Sequence, residues 1–134
     1  MRACPCGKIA AKRALPYERC CGRYVEDFDL TPAPDAESLM RSRYTAYVLE
    51  RVPYLLATWH PDTRPQSLDD LAPVKWLGLN IKSIVPPEPA DPNTAWVEFV
   101  ARSRVNGRGE RLHERSRFVK QEGRWFYIDG KIFD

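Results

Sequence analysis

A chain of 134 residues, 43% hydrophobic and 11% aromatic, can bury one core of ordinary size, so it needs no disulfide framework in order to fold. No stretch approaches the roughly 20 apolar residues of a membrane span, and Met-Arg-Ala-Cys-Pro at the start lacks the apolar run of a secretory leader; the expected setting is soluble and cytoplasmic, with no membrane partner. The formal charge of +3 is unevenly spread: residues 1–24 set Arg2, Lys8, Lys12, Arg13, Arg19 and Arg23 against Glu18 alone, a net +5, which leaves −2 for the remainder.

That same segment holds every cysteine of the chain, Cys4, Cys6, Cys20 and Cys21. In a reducing cytosol, clustered cysteines point to a metal site or a redox group rather than to bridges, and adjacent cysteines are poorly placed to bridge each other. Four thiolates at about 2.3 Å close a tetrahedral zinc site, the structural type with no position left for water or substrate. Gly7 and Gly22, each after a cysteine pair, supply the permissive backbone of the turns. Unligated or redox-active thiols are the alternative. The surrounding cations would balance the two net negative charges of a tetrathiolate zinc and leave a basic outer face, open to an acidic protein or to nucleic acid; the lack of interleaved aromatic residues weighs against nucleic acid. The words Cys4-Pro5-Cys6-Gly7, Tyr17 and Cys20-Cys21-Gly22 resemble the SEC-C motif, the zinc-binding segment at the C-terminus of the SecA translocation ATPase. The resemblance implies one structural zinc ion and a knuckle that docks a partner, as that segment does with its chaperone and the ribosome.

Residues 25–34, with Asp27, Asp29, Thr31, Pro32 and Pro34, read as a linker. Asp35 is an expected N-cap for the helical run AESLMRSRYTAYVLER, whose Leu39, Met40, Tyr44, Tyr47 and Val48 recur at the spacing of one buried face. Pro53 interrupts it, a second short helix, YLLATW, follows toward His60, and Pro61 stops that one. Residues 61–70 are rich in turn formers. From Trp76 the period becomes two: WLGLNIKSIV sets Leu77, Leu79 and Ile81 against Trp76, Gly78 and Asn80, PPEPADPN is a turn, TAWVEFVARSRV a strand, NGRGE a hairpin loop, and RLHERSRFVKQ and RWFYIDG meet over Gly123. Helices followed by an antiparallel meander predict an α+β fold with the helices on one sheet face. The division expected is a knuckle over 1–24, a linker over 25–34 and a domain over 35–134 that folds on its own.

LMRSRYTAYV, TWHP, EFVAR, HERSRF and RWFYIDG, in that order, resemble the YchJ family. The resemblance implies a nuclear transport factor 2-like fold, a cone of curved antiparallel sheet wrapped on helices, preceded by the SEC-C segment. Cones of this kind often hold a pocket, and exposed sheet faces in this fold commonly pair into homodimers.

Strand parity groups Leu112, Glu114, Ser116 and Phe118 on the face toward the helices, opposite His113, Arg115, Arg117 and Val119. Glu114 is then either braced by an inward Arg41 or Arg43 or free to act as a general base with His60 and Tyr44. His60 before Pro61 also fits a helix-end group bonded to backbone. Trp59, Trp76, Trp96, Trp125 and Tyr127 either line the cavity or fill it. Two readings result: a zinc-bearing adaptor that docks a partner through its basic knuckle, and a small-molecule binder or acid/base enzyme that uses the cone. A cavity holding an unpaired Glu114 favours the second.

Overall fold

The structure, a computed structural model, describes residues 2–68 and 74–133; residues 69 and 70, at the end of the expected turn-rich stretch, lie outside the described residues. The chain runs through β1 (Ile9–Ala10), β2 (Arg13–Ala14), a single 3-10 turn (Tyr17–Arg19), α1 (Gly22–Val25), α2 (Ala36–Val48), α3 (Val52–Ala57), β3 (Lys75–Val85), β4 (Thr94–Val105), β5 (Arg108–Gln121) and β6 (Arg124–Phe133). β3 to β6 form an antiparallel meander in chain order, and β1 and β2 a separate small hairpin. The helices cover one face of the meander, as the order of periodicities predicts.

α2 begins where its cap requires, with the Asp35 side chain accepting from the Ser38 N–H at 2.7 Å. It ends at Val48 rather than Arg51, because Glu50 takes a left-handed conformation with φ 59° and the Arg51 N–H returns to the Ala46 carbonyl. Pro53 opens α3 instead of merely interrupting, since its missing N–H is unneeded in a first turn.

The single buried face expected of α2 is too narrow a description. Leu39, Met40, Ser42, Arg43, Tyr44, Thr45 and Ala46 are all buried, and no residue of the helix is fully exposed. The reason is position: α2 lies between the sheet on one side and the cysteine segment on the other. Ser42, with no exposure, donates to the Leu39 carbonyl at 2.9 Å and lies 2.7 Å from the Tyr54 hydroxyl, which satisfies both groups inside the core.

Consequently the knuckle and the cone share one core. Cys4, Cys6, Tyr17, Cys20, Cys21, Tyr24 and Val25 belong to the same buried cluster as Leu39, Leu55, Val97 and Phe118. The segment read as a linker contributes to that cluster as well, through buried Ala33 and through Phe28, whose ring meets Tyr54 edge-on at 5.8 Å. Arg124 of β6 ties it down by donating to the carbonyls of Phe28 and Asp29. The segments expected as knuckle, linker and domain are therefore packed against one another on one core.

In the sheet, the β4–β5 turn is Asn106-Gly107 and the β5–β6 turn is Glu122-Gly123, all four at positive φ, the conformation of a tight two-residue hairpin. β5 thus starts at Arg108, inside the stretch read as loop. Three bulges break strict alternation. The one at Leu77 turns that side chain outward, 49% exposed, and brings Trp76 to the helix-facing side with Leu79 and Ile81, reversing the expected place of both Leu77 and Trp76. A second bulge lies at Lys82. The third, at Ile128, puts Tyr127 and Gly130 on the same face, opposite Phe118 and Ser116 respectively.

Candidate metal centre and ligand cavity

The knuckle builds its cluster from two turns. The Gly7 N–H returns to the Cys4 carbonyl at 3.1 Å, with Gly7 at φ +75°, and this folds Cys4 and Cys6 toward one point. Cys20 and Cys21 come in from the other side, past the 3-10 turn and into α1. Gly22 is required there, since a Cβ would meet the Tyr17 carbonyl oxygen at 2.7 Å and the Tyr17 ring at 2.9 Å. The residues between the pairs form the β1–β2 hairpin, with Ala11 and Lys12 both at positive φ.

All four sulfurs lie within 4.8 Å of one another, all four cysteines are buried, and none is bridged. Cys6 Sγ and Cys20 Sγ are 3.6 Å apart, close to the ~3.8 Å edge of a sulfur tetrahedron around an ion at about 2.3 Å. Without a cation the buried sulfurs divide the protons unequally. Burial pushes Cys20 up to about 12, hydrogen bonding to Cys4 and burial raise Cys21, and hydrogen bonds from Cys21 and Cys6 hold Cys4 well below the ordinary thiol range. Four buried, unbridged sulfurs that converge within 4.8 Å of one another are a donor set that fits a divalent cation, which would displace the thiol protons on binding. α2 supports the cluster from behind: Thr45 Oγ1 is 3.7 Å from Cys4 Sγ, and Arg41 Nη1 donates to the Cys6 carbonyl at 3.1 Å while its Nε donates to Glu37 at 2.8 Å. Arg23 Nε donates to the Cys20 carbonyl at 3.0 Å. Both guanidinium groups thus bring positive charge toward the thiolates.

On the opposite side of α2 a cavity of about 320 Å³ opens between helix and sheet. Met40, Arg43, Tyr44 and Tyr47, spaced to share one helix face, form one wall; Trp59, Trp76, Phe99, Leu112 and Tyr127 supply most of the rest. Glu114 and Ser116 of β5 reach in as parity predicts. Of the candidate pocket residues, Arg43, Tyr44, Trp59, Glu114 and Ser116 are brought together here. Arg41 and His60 are not. Arg41 faces the knuckle, as described. His60 sits at the end of the α3 segment with Nε2 2.8 Å from Gln121 Oε1 and Nδ1 accepting from the Asp62 N–H at 3.1 Å, a helix-end group rather than a cavity group. Among the aromatic candidates, Trp96 is on the outer sheet face beneath Arg115 at 4.3 Å, and Trp125 lines a second hollow beside Phe28 and Tyr54.

The inward arginine exists, but the expected brace does not. Arg43 is 4% exposed, and both of its side-chain hydrogen bonds among the described residues are made by Nη1, to the Leu55 carbonyl at 2.8 Å and to Thr58 Oγ1 at 2.7 Å. Its guanidinium carbon lies 5.0 Å from the centroids of both Trp59 and Tyr127, so two aromatic rings take the place of a counter-charge. Glu114 Oε2 instead accepts from Ser116 Oγ and from the Tyr127 hydroxyl at 3.3 Å. Burial, reinforced by the Glu114 charge, raises Tyr127 far above the ordinary tyrosine value, which keeps its hydroxyl protonated as the donor. Trp59 Nε1 is buried without an acceptor among the described residues, at a cost of about 1–3 kcal/mol.

Gly130 is the residue that sequence reasoning missed. A Cβ there would lie 2.8 Å from Glu114 Cδ, so the carboxylate rests on the space that glycine leaves. A glycine inside a strand was the available signal. Gly130→Ala should displace the carboxylate from Ser116 and Tyr127 and lower unfolding stability by about 1–3 kcal/mol in a denaturant titration. The cost should shrink when Glu114 is first shortened to Ala; equal costs in both backgrounds would disprove the contact.

Among the described residues no helix is long and apolar enough to cross a membrane. A family profile described as "YchJ, middle NTF2-like domain" matches residues 35–130. A UPF0225 protein from Polaromonas sp. (strain JS666) is 56% identical over 129 residues, covering 95% of this chain and 91% of that one, and one from Bordetella parapertussis is 57% identical over 131 residues, covering 97% and 92%. The solution structure of a SEC-C motif containing protein from Rhodopseudomonas palustris superposes with a TM-score of 0.77 at 30% identity, covering 99% of this chain and all of that one. A crystal structure of a SEC-C motif containing protein from Psychrobacter arcticus also gives 0.77, at 27% identity, covering all of this chain and 84% of the other. With a nuclear transport factor 2-like domain behind a cluster of four cysteines able to hold a metal, the chain belongs to the YchJ family of SEC-C motif proteins.

Proposed function

We propose that this is a small-molecule-binding protein whose ligand occupies the cone cavity, and that the knuckle holds one structural zinc ion whose task is to clamp α2, the helix that forms the cavity wall. One observation carries the reading: Arg43 and Glu114 both reach the cavity, yet neither is spent on the other. A core built only for stability would pair the buried arginine with the half-buried carboxylate or replace both with apolar groups. The cavity volume of about 320 Å³ and its aromatic walls match a site for a small ring compound. Zinc suits four thiolates with no open position, and cysteines buried against α2 suit a clamp.

The test is a ligand-observed NMR screen of small aromatic compounds against the full chain and against Ala101→Leu, which fills the cavity from a buried position in β4. Compounds should bind the native protein and be lost in the filled variant. Binding that survives the filling, or no binding by any compound, would defeat the reading.

Partner docking through the knuckle keeps one specific observation in its favour. The hairpin exposes Ile9, 65% accessible, beside Lys8, Lys12 and Arg13, an apolar tip with a basic surround.

A further inference from the structure

We infer that the cavity selects neutral, planar heterocycles that carry both a hydrogen-bond donor and a hydrogen-bond acceptor, as a lactam does, over charged or purely apolar rings of the same size. The inference rests on the cone cavity being a ligand site and names what that site takes.

Charge sets the first constraint. The groups that line the cavity include one cation, Arg43, and one carboxylate, Glu114. An anionic ligand drawn to Arg43 would be brought up against Glu114, and a cationic one drawn to Glu114 would be brought up against Arg43, so either meets a repulsion. A neutral ligand avoids both.

Hydrogen-bond capacity gives the second constraint. Among the described residues the Arg43 hydrogen bonds are all made by Nη1, so Nε and Nη2 keep donors to offer, and an arginine accepts nothing. Glu114 takes Ser116 and Tyr127 on Oε2, and Oε1 keeps its acceptor capacity. The ligand must therefore present an acceptor to the arginine and a donor to the carboxylate. A site built this way rejects an analogue that lacks the matching group more strongly than it rejects a change of size, because its own buried polar atoms are then left unpaired.

Shape gives the third. Trp59, Trp76, Tyr44, Tyr47 and Phe99 offer ring faces and edges, with Tyr44 meeting Trp76 edge-on at 5.6 Å and Tyr47 meeting it at 5.9 Å. A flat ring stacks among them, and about 320 Å³ lies at the small end of ligand pockets, which limits the occupant to one or two fused rings.

The probes are four two-ring compounds: 2-quinolone, which carries the lactam edge; N-methyl-2-quinolone, which lacks the donor; 2-naphthoate, an anion; and 2-naphthylmethylammonium, a cation. Binding to the full chain is read from quenching of tryptophan fluorescence, since Trp59 and Trp76 line the cavity. 2-Quinolone should bind about tenfold or more tightly than the other three. In Glu114→Leu, which removes the acceptor at similar size, the preference for 2-quinolone over its N-methyl form should vanish; should that variant fail to fold, the four-probe comparison on the native chain decides alone. Equal binding of the two quinolones, or tighter binding of either charged probe, overturns the inference and leaves the cavity as a ligand site of another class. Failure of all four probes overturns the inference and, together with a blank aromatic screen, the cavity reading beneath it.

Discussion

Cys6→Ser should leave the protein without its metal and lower its stability by on the order of 4 kcal/mol or more, among the largest effects open to a single substitution in this chain. Cys6 is fully buried, its Sγ is 3.6 Å from Cys20 Sγ, and its carbonyl receives Arg41. Serine offers a harder and far less acidic ligand in a place shaped for thiolate, and three remaining sulfurs lose most of the tetrahedral free energy. Because the same cysteines sit in the cluster that packs on α2, the loss reaches the cone rather than stopping at the knuckle. Metal analysis of native protein purified without chelator should give close to one zinc per chain, against none in the variant. A chelator should lower the thermal midpoint of the native protein toward that of Cys6→Ser and leave the variant unchanged. A variant that retains stoichiometric metal, or native protein that holds disulfides and no metal under reducing conditions, would refute the assignment.

Removal of residues 1–34 is the second large perturbation. From sequence, a chain that starts at Asp35 is expected to fold alone; from the packing it should not. The cut uncovers Leu39 and Thr45, which are 1% and 0% exposed in the intact chain, strips Phe28 from Tyr54, and leaves Arg124 without the two carbonyls it donates to. Fully burying a large apolar side chain stabilises by about 1.5–3 kcal/mol, and a domain of this size has only about 5–15 kcal/mol in total, so a few such losses suffice to unfold much of the population. The shortened chain should show a broad, weakly cooperative denaturant transition and bind a hydrophobic dye. A sharp transition with a stability within about 1 kcal/mol of the intact protein would restore the two-unit description.

The elements whose signal is local were legible in the sequence. Asp35 as cap, β4 over 94–105, the turn at Gly123, the parity of β5 that sends Glu114 inward and the four-cysteine cluster all depend on neighbours a few residues away. What escaped depends on tertiary company. The bulges at Leu77 and Ile128 have no residue signature of their own, and each shifts an aromatic residue, Trp76 or Tyr127, onto the cavity side. Arg41 and Arg43 are two positions apart on one helix, and only the presence of a second packing partner behind that helix reveals that one serves the knuckle and the other the cavity. Ser42 and Thr45 lie outside the apolar face that the spacing marks, yet both are fully buried because a second partner packs behind the helix.

That two-sided helix has a thermodynamic consequence. Arg41 and Thr45 meet the thiolate cluster, Met40, Arg43, Tyr44 and Tyr47 meet the cavity, and no residue between them is free in solvent to absorb a displacement. Were the knuckle to hold an ion and the cavity a ligand, any coupling of the two events through α2 would be reciprocal: whatever factor an occupied knuckle added to affinity in the cavity, an occupied cavity would return to retention of the ion. Under such a coupling, the ease with which a chelator withdraws the metal would report how full the cavity is, a readout that requires no knowledge of the ligand's identity.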